Sequence, residues 1–185
     1  MKNYSYSLAY RSLLAGLILA MLSLSANAAS KDEIDINVEE ALSKFYQESN
    51  AGKRLAERAV GMLVFPRVIK AGIGIGGEYG EGALVVDGQT IDYYNTAAAS
   101  IGLQFGAQVK SQIIMFMTDA ALETFRNSEG WEAGVDGSVA LVEFGAGGEV
   151  SSNSAQAPII GFIFSNKGLM YNLTFEGSKM TKLSR

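Results

Sequence analysis

Gly72, Gly74 and Gly77, within AGIGIGGEYGEGALVV (71–86), have the spacing G-x-G-x-x-G. A glycine turn of that spacing can cradle the pyrophosphate of a dinucleotide. The chemistry needs a helix opening directly after the third glycine, so that its first N–H groups face the phosphate. Here Glu78-Tyr79-Gly80-Glu81-Gly82-Ala83-Leu84-Val85-Val86 follows. That is a turn into a strand, with two carboxylates where the pyrophosphate would lie. The same glycines have a second reading. Gly72, Gly74 and Gly76 fall at i, i+2 and i+4, one face of a strand, with Ile73 and Ile75 on the other. A face without side chains lets a second backbone approach closely or lets the sheet bend sharply. The spacing therefore predicts a tightly curved sheet and not a nucleotide site.

Other chemistry is narrowed by what the chain lacks. It has no histidine and no cysteine. A Ser-His-Asp triad, a cysteine nucleophile, a His-bearing zinc site and a His-held haem are all excluded. Glu78, Glu81, Asp92, Asp136 and Glu143 lie in or near expected strand ends, and two carboxylates meeting in a cleft could hydrolyse a glycoside. No spacing nominates a pair. Asp87 and Asp136 each precede a glycine and read first as turn residues. The expectation is a non-enzyme with no cofactor and no metal.

Lys53, Arg54, Arg58, Arg67 and Lys70 crowd into 18 positions, with Glu57 the one acidic residue among them. Arg54 and Arg58 are a helical turn apart. Next to an anionic membrane each such group contributes about 1 kcal/mol at best. The alternative is an ordinary solvated helix face, and the sequence leaves both open. The chain as a whole has 15 basic and 19 acidic residues. That balance opposes general nucleic-acid binding.

These residues need elements to hold them. Lys2 and Arg11 precede an uncharged apolar run, Ser12 to Leu24, and Ala26-Asn27-Ala28 completes the small-x-small pattern of a signal-peptidase site. Residues 1–28 are expected to be a signal peptide and 29–185 a single domain, of formal charge −6 once Lys2 and Arg11 are gone. The expected location is the periplasm or the inner face of an outer membrane. From Gly61 onward lie 19 of the 21 glycines, so the front reads as helix and the rest as strand. Asn37 is the expected cap of a helix carrying Val38, Ala41, Leu42 and Phe45, and Ala51 to Ala59 a second helix. Asp87-Gly88 marks a hairpin between 83–86 and 90–94. Further strands are expected over 101–106, 112–117 and 139–144. Asp119 is the expected cap of a short helix, 120–126. Ile159 to Phe164 and Leu169 to Phe175 read as a last hairpin, and 151–157 as a loop. The fold class is α+β: an antiparallel, strongly curved sheet or small barrel, with N-terminal helices and one short internal helix packed against it.

Ser100-Ile101-Gly102-Leu103-Gln104-Phe105-Gly106-Ala107-Gln108 resembles the central signature of the SYLF family, also called Ysc84-type or DUF500. Leu63-Val64-Phe65-Pro66-Arg67-Val68-Ile69-Lys70-Ala71-Gly72 is similar to the family's opening segment. The run 76–82, Ser165-Asn166-Lys167-Gly168-Leu169 and Phe175-Glu176-Gly177 follow in the family's order. Met170-Tyr171-Asn172 departs from it at one edge. The resemblance implies a lipid-binding domain. For an exported chain it implies affinity for a phospholipid membrane surface, the anionic kind being favoured. The charge cluster itself nominates Lys53, Arg54, Arg58, Arg67 and Lys70 as the candidate lipid-binding residues. A protein partner is left unspecified. Two rival readings stand beside it: an envelope protein-interaction or structural factor, and a small outer-membrane β-barrel. The barrel needs about ten-residue segments of regular alternation, which Gln112 to Met117 and the 119–126 helix break.

Overall fold

A computed structural model describes residues 29–143, 156–168, 175 and 177–185. The expected signal peptide, most of the 151–157 loop and the 169–174 arm of the last hairpin lie outside the described residues.

Helix α1 spans Lys31–Glu48. It starts six residues before the expected cap at Asn37. Ser30 is the N-cap, its hydroxyl accepting the Glu33 N–H at 3.1 Å. Ser30-Lys31-Asp32-Glu33 has the S-x-x-E form of a capping box, and Asp32 and Glu33 suit the positive end of the helix dipole. Ile34, Val38, Ala41 and Phe45 form its buried stripe. Ser49 ends α1 and starts α2, Asn50–Ala56, by accepting the Gly52 N–H at 2.8 Å. Beyond Ala56 the chain tightens into i→i−3 bonds, Arg58 to Leu55 and Ala59 to Ala56. α2 is thus shorter than expected.

The strand segments read separately from Gly61 to Phe116 merge into one long hairpin. β1 is Gly61–Val86 and β2 is Gln89–Phe116. Asp87 and Gly88 turn it with φ of 50° and 75°, as an Asp-Gly turn requires. The register breaks between Phe65 and Val68, around Pro66, whose nitrogen has no proton for the ladder. A second break lies between Ile73 and Ile75.

There β1 doubles back on itself. A Cβ at Gly72 would lie 2.4 Å from the Gly76 Cα. A Cβ at Gly82 would lie 2.0 Å from the Val64 carbonyl oxygen, and one at Gly80 2.7 Å from that of Arg67. The glycine face is where backbone meets backbone. The bend and the closure expected from the G-x-G spacing are both present, inside a continuous strand with no helix after Gly77.

β2 carries the rest of the sheet. Its Tyr94–Ala97 stretch pairs with β6, Lys179–Lys182, and its Gln108–Phe116 stretch with β5, Ile159–Gly168. β3, Trp131–Glu132, lies on β6, and β4, Ala140–Glu143, on β5. The order is β3-β6-β2-β5-β4, with β1 also on β2. Among the described residues all strand pairs are antiparallel except β4–β5, which is parallel, so the sheet is mostly antiparallel and strongly curved, as expected. β5 continues through Asn166-Lys167-Gly168, where a turn was expected, because β2 extends beside it and, past a register shift between Phe164 and Lys167, pairs with Lys167 and Gly168. α3, Asp119–Asn127, forms as expected, but Thr118 caps it and not Asp119.

Two apolar layers result. Inside the curl, Leu63, Phe65, Leu84, Tyr94, Ile114 and Phe116 meet Phe125 of α3, Trp131 and Met180. Outside it, α1 and α2 cover Val64, Ala83, Val85, Ile113 and Met115. Phe45 is fully buried there, edge-on to Phe162 at 5.0 Å between centroids, a contact contributing about 0.5–1.5 kcal/mol beyond its area.

Candidate functional site: the bent end of the long hairpin

Away from the helices, the pattern on the hairpin reverses. Alternation along β2 carries the inward face from Phe116 and Ile114 to Gln112, Lys110 and Gln108, all buried. From β1 come Lys70 and Glu78, and from beside β6 comes Ser178. Lys110 Nζ donates to Glu78 Oε2 at 2.9 Å, with the lysine side chain wholly buried. Gln112 Nε2 and the Ser178 hydroxyl donate to Glu78 Oε1 at 3.5 and 3.4 Å. Burial pushes the Lys110 ammonium below its ordinary pKa; the Glu78 carboxylate opposes this, and the Lys70 charge adds to it. Among the described residues the interior therefore holds two lysines to one glutamate. Such a cluster is costly to desolvate, and its retention is poor evidence of stability alone.

Among the described side chains, the outward face of the same stretch is apolar and bare. Ile69, Ala71, Ile75 and Tyr79 of β1 and Ala97, Ala99 and Ala107 of β2 are exposed. Ile75 at the bend keeps 71% of its surface open and Tyr79 50%. Register places Ala71 opposite Ala107 and Tyr79 opposite Ala97. No charged side chain stands among these seven. Arg67 borders them from β1.

The five basic residues singled out in the sequence divide. Lys53 and Arg54 on α2, Arg58 just after it, and Arg67 on β1 are exposed. Among the described residues none of the four is in an ion pair. Lys70 is 7% exposed and belongs to the interior with Lys110. One signal could have separated it: Lys70 has the inward parity of Val68, whereas Arg67 and Ile69 have the outward one. The carboxylates considered for catalysis are engaged singly. Glu78 holds Lys110, Glu81 holds Arg185 at 2.7 Å, Asp92 holds Lys182 at 2.6 Å, and Asp136 accepts the Glu132 N–H at 2.7 Å. The Glu143 side chain lies outside the described residues. Among the described residues no cluster of acidic side chains could hold a metal ion, and no helix is long and apolar enough to cross a membrane.

The sequence reading missed the bare outer face. Its residues were in view, but Ile75 alternates with glycine and that alternation was assigned to curvature alone, while Ala97 and Ala99 lie in the unpatterned run Ala97-Ala98-Ala99. In comparisons with known proteins, no curated protein matches the chain. The model of the Ysc84 family, described as "Las17-binding protein actin regulator", matches residues 97–184, which run from the bend through β6.

Proposed function

We propose, from the match of residues 97–184 to the Ysc84 (SYLF) family model, that the chain is a non-catalytic protein that binds phospholipid surfaces peripherally in the cell envelope. That match supports a lipid-binding or actin-regulator-like role in general. The finer reading, phospholipid after export to the periplasm, takes its support from the leader-like N-terminus and from the bent end of the hairpin.

The observation that carries it is the inverted partition there: charged and amide side chains inside, Ile69, Ala71, Ile75, Ala97, Ala99 and Ala107 outside. In water that arrangement exposes apolar surface without gain; against hydrocarbon it is the stable one. From the bend to Ile69 or Tyr79 is four to six residues, about 13–20 Å of strand. The hydrocarbon core of a bilayer is about 30 Å thick. The face suits shallow insertion more than spanning, which sets this reading ahead of an outer-membrane barrel. Full burial of an isoleucine contributes about 1.5–3 kcal/mol, and each of Lys53, Arg54, Arg58 and Arg67 about 1 kcal/mol near anionic lipid. The sum describes reversible adhesion.

Co-sedimentation with neutral and anionic liposomes at low and high salt tests it. The expected result is binding to both, stronger on anionic vesicles at low salt. Absence of binding to either would remove the lipid reading and promote the protein-partner one, to which the family description also points.

A further inference from the structure

Three donors converge on Glu81, two of them from distant parts of the chain. The Ala29 N–H lies 3.2 Å from Oε2. Arg185 Nη2 lies 2.7 Å from the same oxygen, and the Tyr79 hydroxyl 2.9 Å from Oε1. Arg185 also donates through Nη1 to the Ala29 carbonyl. The Glu81 and Arg185 side chains are each 13% exposed. Burial alone would raise the Glu81 carboxyl, but the bonds from Arg185, Tyr79 and Ala29, with the Arg185 charge, hold it below the ordinary value. Ala29 is also the residue that follows the expected cleavage point, Ala26-Asn27-Ala28.

We infer that this corner is a receptor for the chain's own processed N-terminus: Glu81 takes the α-ammonium released at Ala29, and Arg185 holds the Ala29 carbonyl. The inference rests on the export reading above. Signal peptidase adds water across the Ala28–Ala29 bond, leaving a carboxylate on Ala28 and an amine on Ala29 that takes up a proton at neutral pH. One neutral N–H beside Glu81 becomes a cation with three donors. A hydrogen bond to an ionised donor is about twice as strong as a neutral one. Processing therefore tightens the contact and ties the start of α1, the later part of β1 and Arg185 together. Uncleaved chain keeps only the neutral bond.

The charged and titratable groups around this corner are Glu81 and Tyr79 from β1, Tyr93 from β2, Lys31, Asp32 and Asp35 from α1, and Arg185, with Lys31 Nζ over the Tyr93 ring. Carboxylates predominate, so the folded amine keeps its proton to higher pH than an unfolded one. Its contribution to stability is complete below the unfolded value, about 7.7–8.0, and disappears as pH rises through the folded one.

The test expresses the whole 185-residue chain, leader included, in an exporting bacterial host. Intact mass reads the first residue of the purified product. An amine-reactive reagent then labels the N-terminus at pH 7 in the folded protein, in the same protein unfolded in guanidinium, and in Glu81→Gln. The expected result is a chain starting at Ala29 that labels about tenfold more slowly folded than unfolded, the equivalent of one pKa unit. Glu81→Gln restores most of the rate and moves the pH profile back toward the unfolded one. A start at Ala29 with equal folded and unfolded rates, or slow labelling that Glu81→Gln leaves unchanged, overturns the receptor and leaves export standing. A different first residue overturns both.

Discussion

The same two strands build two unlike halves of the molecule. Near the helices, the β1–β2 hairpin is apolar on both faces: Leu63, Phe65, Ile114 and Phe116 inward, Val64, Ile113 and Met115 outward under α1. Near the bend, the inward face holds Lys70, Glu78, Lys110 and Gln112, and the outward face holds exposed Ile75 and alanines. The covered half explains the fold. The bent half is not explained by folding in water, because its apolar face is left uncovered and its ion pair is desolvated. A feature that costs stability and recurs on one end of a sheet is where function is to be sought.

The contrast between the halves is greatest on the inward face. Lys110→Met leaves Glu78 buried without its cation, and urea denaturation should read a loss of about 3–5 kcal/mol. The double variant with Glu78→Gln should recover much of it. If Lys110→Met alone costs nothing, the interior pair is wet and the contrast between the halves fails.

In the covered half, burial is the leading effect on Tyr94, whose hydroxyl is pushed up to about 12. A raised tyrosine binds its proton more tightly folded than unfolded, so stability falls between about pH 10 and pH 12. The fall ascribable to Tyr94 is about 2–3 kcal/mol at its upper limit, and Tyr94→Phe should remove it from a denaturation series over that range. Absorbance titration should find one tyrosine ionising well after the rest.

On the outer face, Ile75→Glu should leave the thermal midpoint within a few degrees, because the side chain packs on little. It should weaken liposome binding tenfold or more, since one buried isoleucine is worth about 1.5–3 kcal/mol. The smallest effects belong to the basic residues. Arg54→Gln with Arg58→Gln should weaken binding to anionic vesicles by a few-fold, about 1 kcal/mol per charge at most, and flatten its salt dependence. Lys70→Met should leave the salt dependence unchanged, because Lys70 faces the interior. Equal effects at Arg54 and Lys70 would mean that the two sides of the sheet had been misassigned.

Much of the architecture was legible because its signals are local. The Asp87-Gly88 turn, the 119–127 helix and the glycine-permitted bend each depend on residues close in sequence. The start of α1 was missed although Ser30 and Glu33 spell a capping box, because Asn37 offered a second cap ahead of Val38, Ala41 and Phe45. The continuity of β5 through Asn166-Lys167-Gly168 was not legible: it depends on how far β2 extends, which local turn propensity does not encode. The candidate site was half legible. Alternation could have placed Lys70 inward and Ile69 outward, but whether α1 covers Ile75 depends on where the helix crosses the sheet. That is set by pairs such as Phe45 with Phe162 and Asp35 with Tyr93, the latter bonded at 2.8 Å, which lie far apart in the chain.

The central claim is that the outer face at the bend enters lipid. The chain has no cysteine, so Ile75→Cys can carry one environment-sensitive fluorophore, with Glu40→Cys on the exposed side of α1 as its control. On adding anionic vesicles, the dye at position 75 should brighten and shift to the blue while the dye at position 40 stays unchanged. No change at position 75, or a change at position 40 alone, would contradict the account.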